Sequence, residues 1–126
     1  MANRTFKRVL GTNTPALVLL YARVLPNGSS TPTLAENGSS VIASTAWSAT
    51  GVITVTLADA YLAAGAFTQL QLATAADTMV QVKTFTAATT KILTLNILTA
   101  GSLADIAANA GNIIHLFIAC RESTAT

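Results

Sequence analysis

Much of the chain alternates between apolar and polar positions. Residues 52–57 place Val52, Thr54 and Thr56 on one side and Ile53, Val55 and Leu57 on the other, the period of two that a half-buried strand requires. The same period recurs over 79–85, where Val80 and Val82 oppose Gln81 and Lys83, and over 92–98, where Leu93, Leu95 and Ile97 oppose Thr94 and Asn96. Residues 67–73 set Phe67, Gln69 and Gln71 against Leu70 and Leu72. Residues 41–48, which carry Trp47, read as another strand, and so does the apolar run 16–24, ending at Pro26. Residues 112–121 differ from the rest, with Ile114, Leu116 and Ile118 on one face and Ile113, His115 and Phe117 on the other. A strand that is apolar on both faces either lies centrally in a sandwich or is covered by another subunit.

Turn residues punctuate these runs. The tetrapeptide Asn-Gly-Ser-Ser occurs at 27–30 and again at 37–40, and Asn-Gly favours tight turns because both residues tolerate positive φ. Residues 31–35 between them read as a short strand or loop. Both copies, like Asn3-Arg4-Thr5, have the form of glycosylation sequons. No apolar stretch follows directly behind Arg4, Lys7 and Arg8, so a secretory signal is not expected, and turn chemistry explains the two repeats better. Gly51 and residues 86–90 mark further turns. Residues 59–65 (Asp-Ala-Tyr-Leu-Ala-Ala-Gly) combine an N-cap, helix formers and a closing glycine, which predicts a helix of about two turns. One more helical turn is expected at 103–108, inside the connection 101–111.

Seven or eight short strands with turns between them predict an all-β, single-domain β-sandwich or barrel with one or two short helical turns. Jelly roll, immunoglobulin-like sandwich and barrel are all compatible with that pattern. Residues 1–14 read as an extended basic N-terminal arm and 15–126 as the β domain.

Composition changes this picture in one respect. Only 10% of the 126 residues are charged while 52% are hydrophobic, against roughly 25% and 45–50% in an ordinary soluble domain. Alanine and threonine together make up about a third of the chain. So few charges leave little to keep a surface wet and self-repelling, which points to a surface covered by copies of the chain or by a larger assembly. Membrane insertion is the other explanation, but 15–22 and 113–120 are too short for a spanning helix, and 6% aromatic residues make no girdle for a barrel.

Chemistry is sparse. The five acids, Glu36, Asp59, Asp77, Asp105 and Glu122, are scattered singly, and Asp59 and Asp105 precede the expected helical turns, where a carboxylate caps free N–H groups. His115 is the sole histidine, so no zinc set can be assembled around it, and an apolar strand makes it a hydrogen-bonded core or interface imidazole. Cys120 is alone at the end of an apolar run and reads as a small buried hydrophobe. With no nucleophile elbow and no phosphate-binding glycine loop, neither an enzyme nor a cofactor, metal or small-molecule substrate is expected. The arm, with Arg4, Phe6, Lys7 and Arg8, is the candidate strap onto an acidic neighbour; a net charge of +2 and no other basic cluster argue against nucleic acid. Trp47, Ile113, His115 and Phe117 are the candidate self-interface.

Residues 51–61, 101–105 and 112–121, with the opening Arg4-Thr5-Phe6-Lys7-Arg8, resemble small structural proteins of tailed bacteriophages, most of all capsid decoration (cement) proteins. The resemblance covers most of the chain and is carried by β patterns and a few polar positions. It implies a β-rich homotrimer on the capsid exterior, made in the host cytoplasm, that bridges neighbouring major capsid subunits and stabilises the shell. Its rivals are another virion part (tail, neck or fibre) and a carbohydrate- or receptor-binding module, which would need exposed aromatic platforms.

Overall fold

The computed structural model describes residues 17–35, 42–61 and 63–121, and every regular element among them is a β-strand. In chain order these are β1 (Leu17–Asn27), β2 (Ser30–Ala35), β3 (Ile42–Ala49), β4 (Val52–Leu57), β5 (Ala63–Gln71), β6 (Thr78–Thr86), β7 (Ile92–Thr99), β8 (Ser102–Leu103) and β9 (Ile113–Arg121). They form two antiparallel sheets packed as a sandwich. The first runs β2-β1-β9-β5; the second runs β3-β4-β7-β6, with β8 paired to the end of β7. The basic arm, the second Asn-Gly-Ser-Ser repeat, Glu36 and Glu122 lie outside the described residues.

Alternation builds the core. From the first sheet come Leu20, Ala22 and Val24 of β1 and Ile114, Leu116, Ile118 and Cys120 of β9. From the second come Ile53, Val55 and Leu57 of β4 and Leu93, Leu95 and Ile97 of β7, with Ile42 of β3 closing one side. All are buried, and among the described residues no polar or charged residue shares that burial. The strands predicted from period two are therefore present with the expected faces inward, except that in β6 Val80 packs on the core while Val82 is exposed where the register shifts before Thr84; β9, apolar on both sides, is central in its sheet.

Three boundaries differ from the sequence expectation. No helix forms over 59–65: residues 59–61 are irregular and Ala63 already belongs to β5, which pairs with β9 from Ala63↔Arg121 to Gln71↔Ile113. A two-turn helix is marginal on its own, and nine residues of strand pairing outweigh it. Asp59 therefore has no helix to cap. No helical turn forms over 103–108 either. Leu103 ends β8, the Ala104 amide donates to the Ile97 carbonyl at 3.0 Å, and Ile106 is drawn into the core. Finally, β1 does not stop before Pro26 but runs through it to Asn27. The pairing with β2 shifts register between Leu25 and Asn27, and such a bulge accommodates a residue with no N–H to give. The first Asn-Gly repeat does turn the chain, with Gly28 at φ 58°.

Gly51 is the tightest point of the fold. It has φ +70°, and a Cβ there would lie 2.7 Å from the Ala104 nitrogen and 2.8 Å from the Ile97 oxygen, so the β3–β4 turn closes only because the side chain is missing.

The packing yields a graded expectation. Leu95→Ala, at a fully buried site, should cost about 2–5 kcal/mol in urea unfolding. Thr94→Ala, one residue away on the outer face, should cost less than about 1 kcal/mol.

Candidate functional site

Each sheet has one face turned away from the core, and the two outer faces differ in chemistry. On the second sheet a row of threonines crosses three strands, Thr84↔Thr94↔Thr54, with Gln81↔Asn96↔Val52 beside it. Hydroxyls and amides dominate those rows, with Asn96 Oδ1 shielded from solvent and without a hydrogen-bond partner among the described residues. On the first sheet the corresponding row is Phe67↔Phe117↔Tyr21 across β5, β9 and β1. Of the seven large hydrophobic residues exposed among those described, four lie here: Leu19, Tyr21, Phe67 and Phe117, with Phe67 66% exposed. The Tyr21 and Phe117 rings meet at a centroid distance of 6.2 Å and a tilt of 51°.

Two further rows flank the aromatics. On one side Gly65↔Ala119↔Leu19 leaves a shallow trough; on the other Gln69↔His115↔Arg23 supplies polar groups. His115 stacks on Tyr21, with centroids 6.0 Å apart and planes 14° apart. Its Nε2 lies 3.0 Å from Gln71 Oε1 and its Nδ1 lies 2.7 Å from Tyr21 Oη. With Nε2 donating to the amide oxygen, Nδ1 accepts from the tyrosine hydroxyl, so the imidazole holds the tyrosine ring in place. No serine, thiol or carboxylate enters this arrangement. It orients aromatic surface and places hydrogen-bonding groups along its edge.

Of the four residues expected at a self-interface, the structure brings two together. His115 and Phe117 share the exposed face. Ile113 has the same strand phase but is buried at its end. Trp47 is on the other sheet, where its Nε1–H donates to Asp105 Oδ1 at 2.9 Å. The sequence reading missed Leu19, Tyr21 and Phe67. A signal was available: in the run 17–25 the odd positions include Tyr21 and Arg23, and Phe67 shares the polar face with Gln69 and Gln71. Arg4, Phe6, Lys7 and Arg8 lie outside the described residues.

Asp105 takes a different role from the predicted helix cap. The same Oδ1 accepts from the Gly51 amide at 2.8 Å, so one carboxylate ties the β3–β4 turn and the indole of Trp47 to the long connection before β9. A cleft of about 200 Å³ lies beside this tie, lined in part by Leu72, Thr78, Thr99, Asp105 and Asn112. It is smaller than the roughly 300–1,000 Å³ of ligand sites. Its polar groups are largely spent on the protein itself. Asn112 Oδ1 accepts from the Ala73 amide at 2.9 Å, its Nδ2 donates to the Ala107 carbonyl at 3.0 Å, and the Thr78 and Thr99 hydroxyls lie 3.0 Å apart. The cleft is a seam between loops. Among the described residues no three His, Cys, Asp or Glu side chains converge to hold a metal ion.

The chain matches no family model, no curated protein and no solved structure. The aromatic face is thus the feature on which a functional reading rests.

Two expectations follow from the polar and thiol chemistry. Asp105→Ala strands the Trp47 and Gly51 N–H groups and should destabilise by about 1–3 kcal/mol, whereas Asp105→Asn, which keeps an acceptor oxygen, should lose less. Trp47 is the single tryptophan, so its fluorescence during urea unfolding reads both variants. Burial pushes the Cys120 thiol up from 9.0 to about 11 by disfavouring the thiolate. Between those values the unfolded chain has released a proton that the folded chain retains, so this thiol's contribution to stability is complete below pH 9 and falls as pH rises towards 11. Cys120→Ala should flatten the stability–pH curve in that window, measured by denaturation at fixed temperature.

Proposed function

We propose that the protein is a self-associating structural subunit that decorates and stabilises a bacteriophage capsid by bridging neighbouring capsid subunits. The observation that carries self-association is the outer face of the first sheet, where Tyr21, Phe117, Phe67 and Leu19 form a contiguous apolar surface. Monomers that live alone in water rarely keep such a patch uncovered. The low charge of the whole chain supports the same reading, because little on the surface opposes association. Aromatic residues at the centre of a patch are also the usual anchors of protein interfaces.

The capsid setting, the major capsid protein as partner, the capsid exterior as location and a trimeric order come from the resemblance to phage decoration proteins. Multivalency makes the setting physically sensible: many modest contacts across a repeating shell add up to strong retention without a single deep site. Tail, neck or fibre subunits are distinguished by copy number, since a shell decoration is far more abundant per particle than any of them. No cofactor, small-molecule substrate, nucleic acid or membrane enters this proposal.

A glycan-binding module is the second reading. The observation in its favour is the polar row Gln69, His115 and Arg23 running beside the aromatic row, since ring faces flanked by hydrogen-bonding groups suit a sugar.

Light scattering coupled to size exclusion tests the primary reading. The wild-type chain should run heavier than its 12.9 kDa monomer, and a Phe67→Ser/Phe117→Ser double variant should run as a monomer with an unchanged far-UV spectrum. A wild-type monomer that binds glycans, with binding lost in Gln69→Ala, would replace this reading with the second.

A further inference from the structure

Among the described residues nothing requires Gly65 to be glycine. It is the third residue of β5, its φ lies outside the left-handed region, and a Cβ built on it meets nothing within 4 Å. Glycine inside a strand weakens it relative to alanine and commonly marks close approach by another backbone or ligand. Among the described residues nothing approaches it, and its open side is the exposed face of the sheet. The neighbours of Gly65 across the sheet continue the trough, with Ala119 on β9 and Leu19 on β1.

The adjoining row is its complement. Phe67, Phe117 and Tyr21 stand one same-face step along their strands, about 7 Å away. A two-fold axis lying in the plane of contact, across the strands and between the two rows, exchanges ridge and trough. It lays Phe67 of one copy over Gly65 of a second, Phe117 over Ala119 and Tyr21 over Leu19. Such an isologous contact needs no other partner. The three strands, about nine residues each, present about 440 Å² of flat face per copy, and the relief of Phe67 and Phe117 brings the pair to about 1,000 Å². That reaches the lower limit for a specific interface.

We propose that the outer face of β1, β9 and β5 is a two-fold pairing surface, with Gly65 and Ala119 as the sockets for Phe67 and Phe117 of a second copy. This rests on the self-association reading and specifies its contact, a pair in place of the trimer that the resemblance implies. The contact joins two sheets face to face around an apolar centre, with Gln69, His115, Arg23 and Arg121 at its rim.

The full chain is followed by light scattering across a dilution series, with Gly65→Leu and the exchange variant Gly65→Phe/Phe67→Gly. The wild type should show twice the 12.9 kDa chain mass and dissociate on dilution. Gly65→Leu has free space among the described residues, so its far-UV spectrum should stay the same and its dilute thermal midpoint should hold or rise while pairing weakens at least about tenfold. The exchange variant swaps ridge for trough in both copies and should recover most of the pairing. It also serves as the folded control should Gly65→Leu fail to fold. A monomer at every concentration would overturn both this contact and self-association. A trimer, or a dimer whose affinity neither variant alters, would leave self-association standing and overturn the two-fold contact.

Discussion

Everything in this protein depends on β9 being apolar on both sides. Its inward residues, Ile114, Leu116, Ile118 and Cys120, form the middle of the first sheet's share of the core, and it pairs along its length with β1 and with β5. A central strand must satisfy backbone hydrogen bonds at both edges while its two faces meet different surroundings. The inner face is satisfied by the second sheet. The outer face, where Phe117 stays exposed, has no second layer among the described residues, and that imbalance is the origin of the functional reading.

The two sheets meet the same geometric demands with different residues. Core positions on β4 and β7 are as apolar as those on β1 and β9, so the inward patterns do not tell the sheets apart. Outward, the second sheet uses Thr54, Thr94 and Thr84, whose branched Cβ suits a strand while the hydroxyl stays solvated. Folding alone would accept threonine at the positions of Tyr21, Phe67 and Phe117 as well. Aromatic rings there do not serve the fold of one chain, since the core is complete beneath them.

What could be read from the sequence follows from the range of each interaction. Period two in residues 52–57 and 92–98 reports directly which side chains point inward, because strand geometry is local. The wrong helix at 59–65 and the wrong helical turn at 103–108 were also local readings, and there long-range contacts won. Alanine-rich helix propensity gave way to the pairing of β5 with β9, and the capping tendency of Asp105 gave way to Trp47 and Gly51, 58 and 54 residues away. The aromatic row was half legible. Phe117 stood out on a strand with two apolar faces, but Tyr21 and Phe67 became neighbours only through the register of β1 and β5 against β9.

Gly65 shows how the two kinds of information combine. In the sequence it looks like a helix terminator; in the fold it is a strand residue with empty space above it and ordinary backbone geometry. Neither view alone gives it a purpose. Gly51, by contrast, is explained within the chain, since the Ile97 oxygen and Ala104 nitrogen leave no room for a Cβ. One glycine is therefore fixed by contacts that are present, whereas the other has a purpose only under the proposed pairing. Beside a row of exposed phenylalanines, such a space has the shape of a socket, and the ring that fits it is on the same chain.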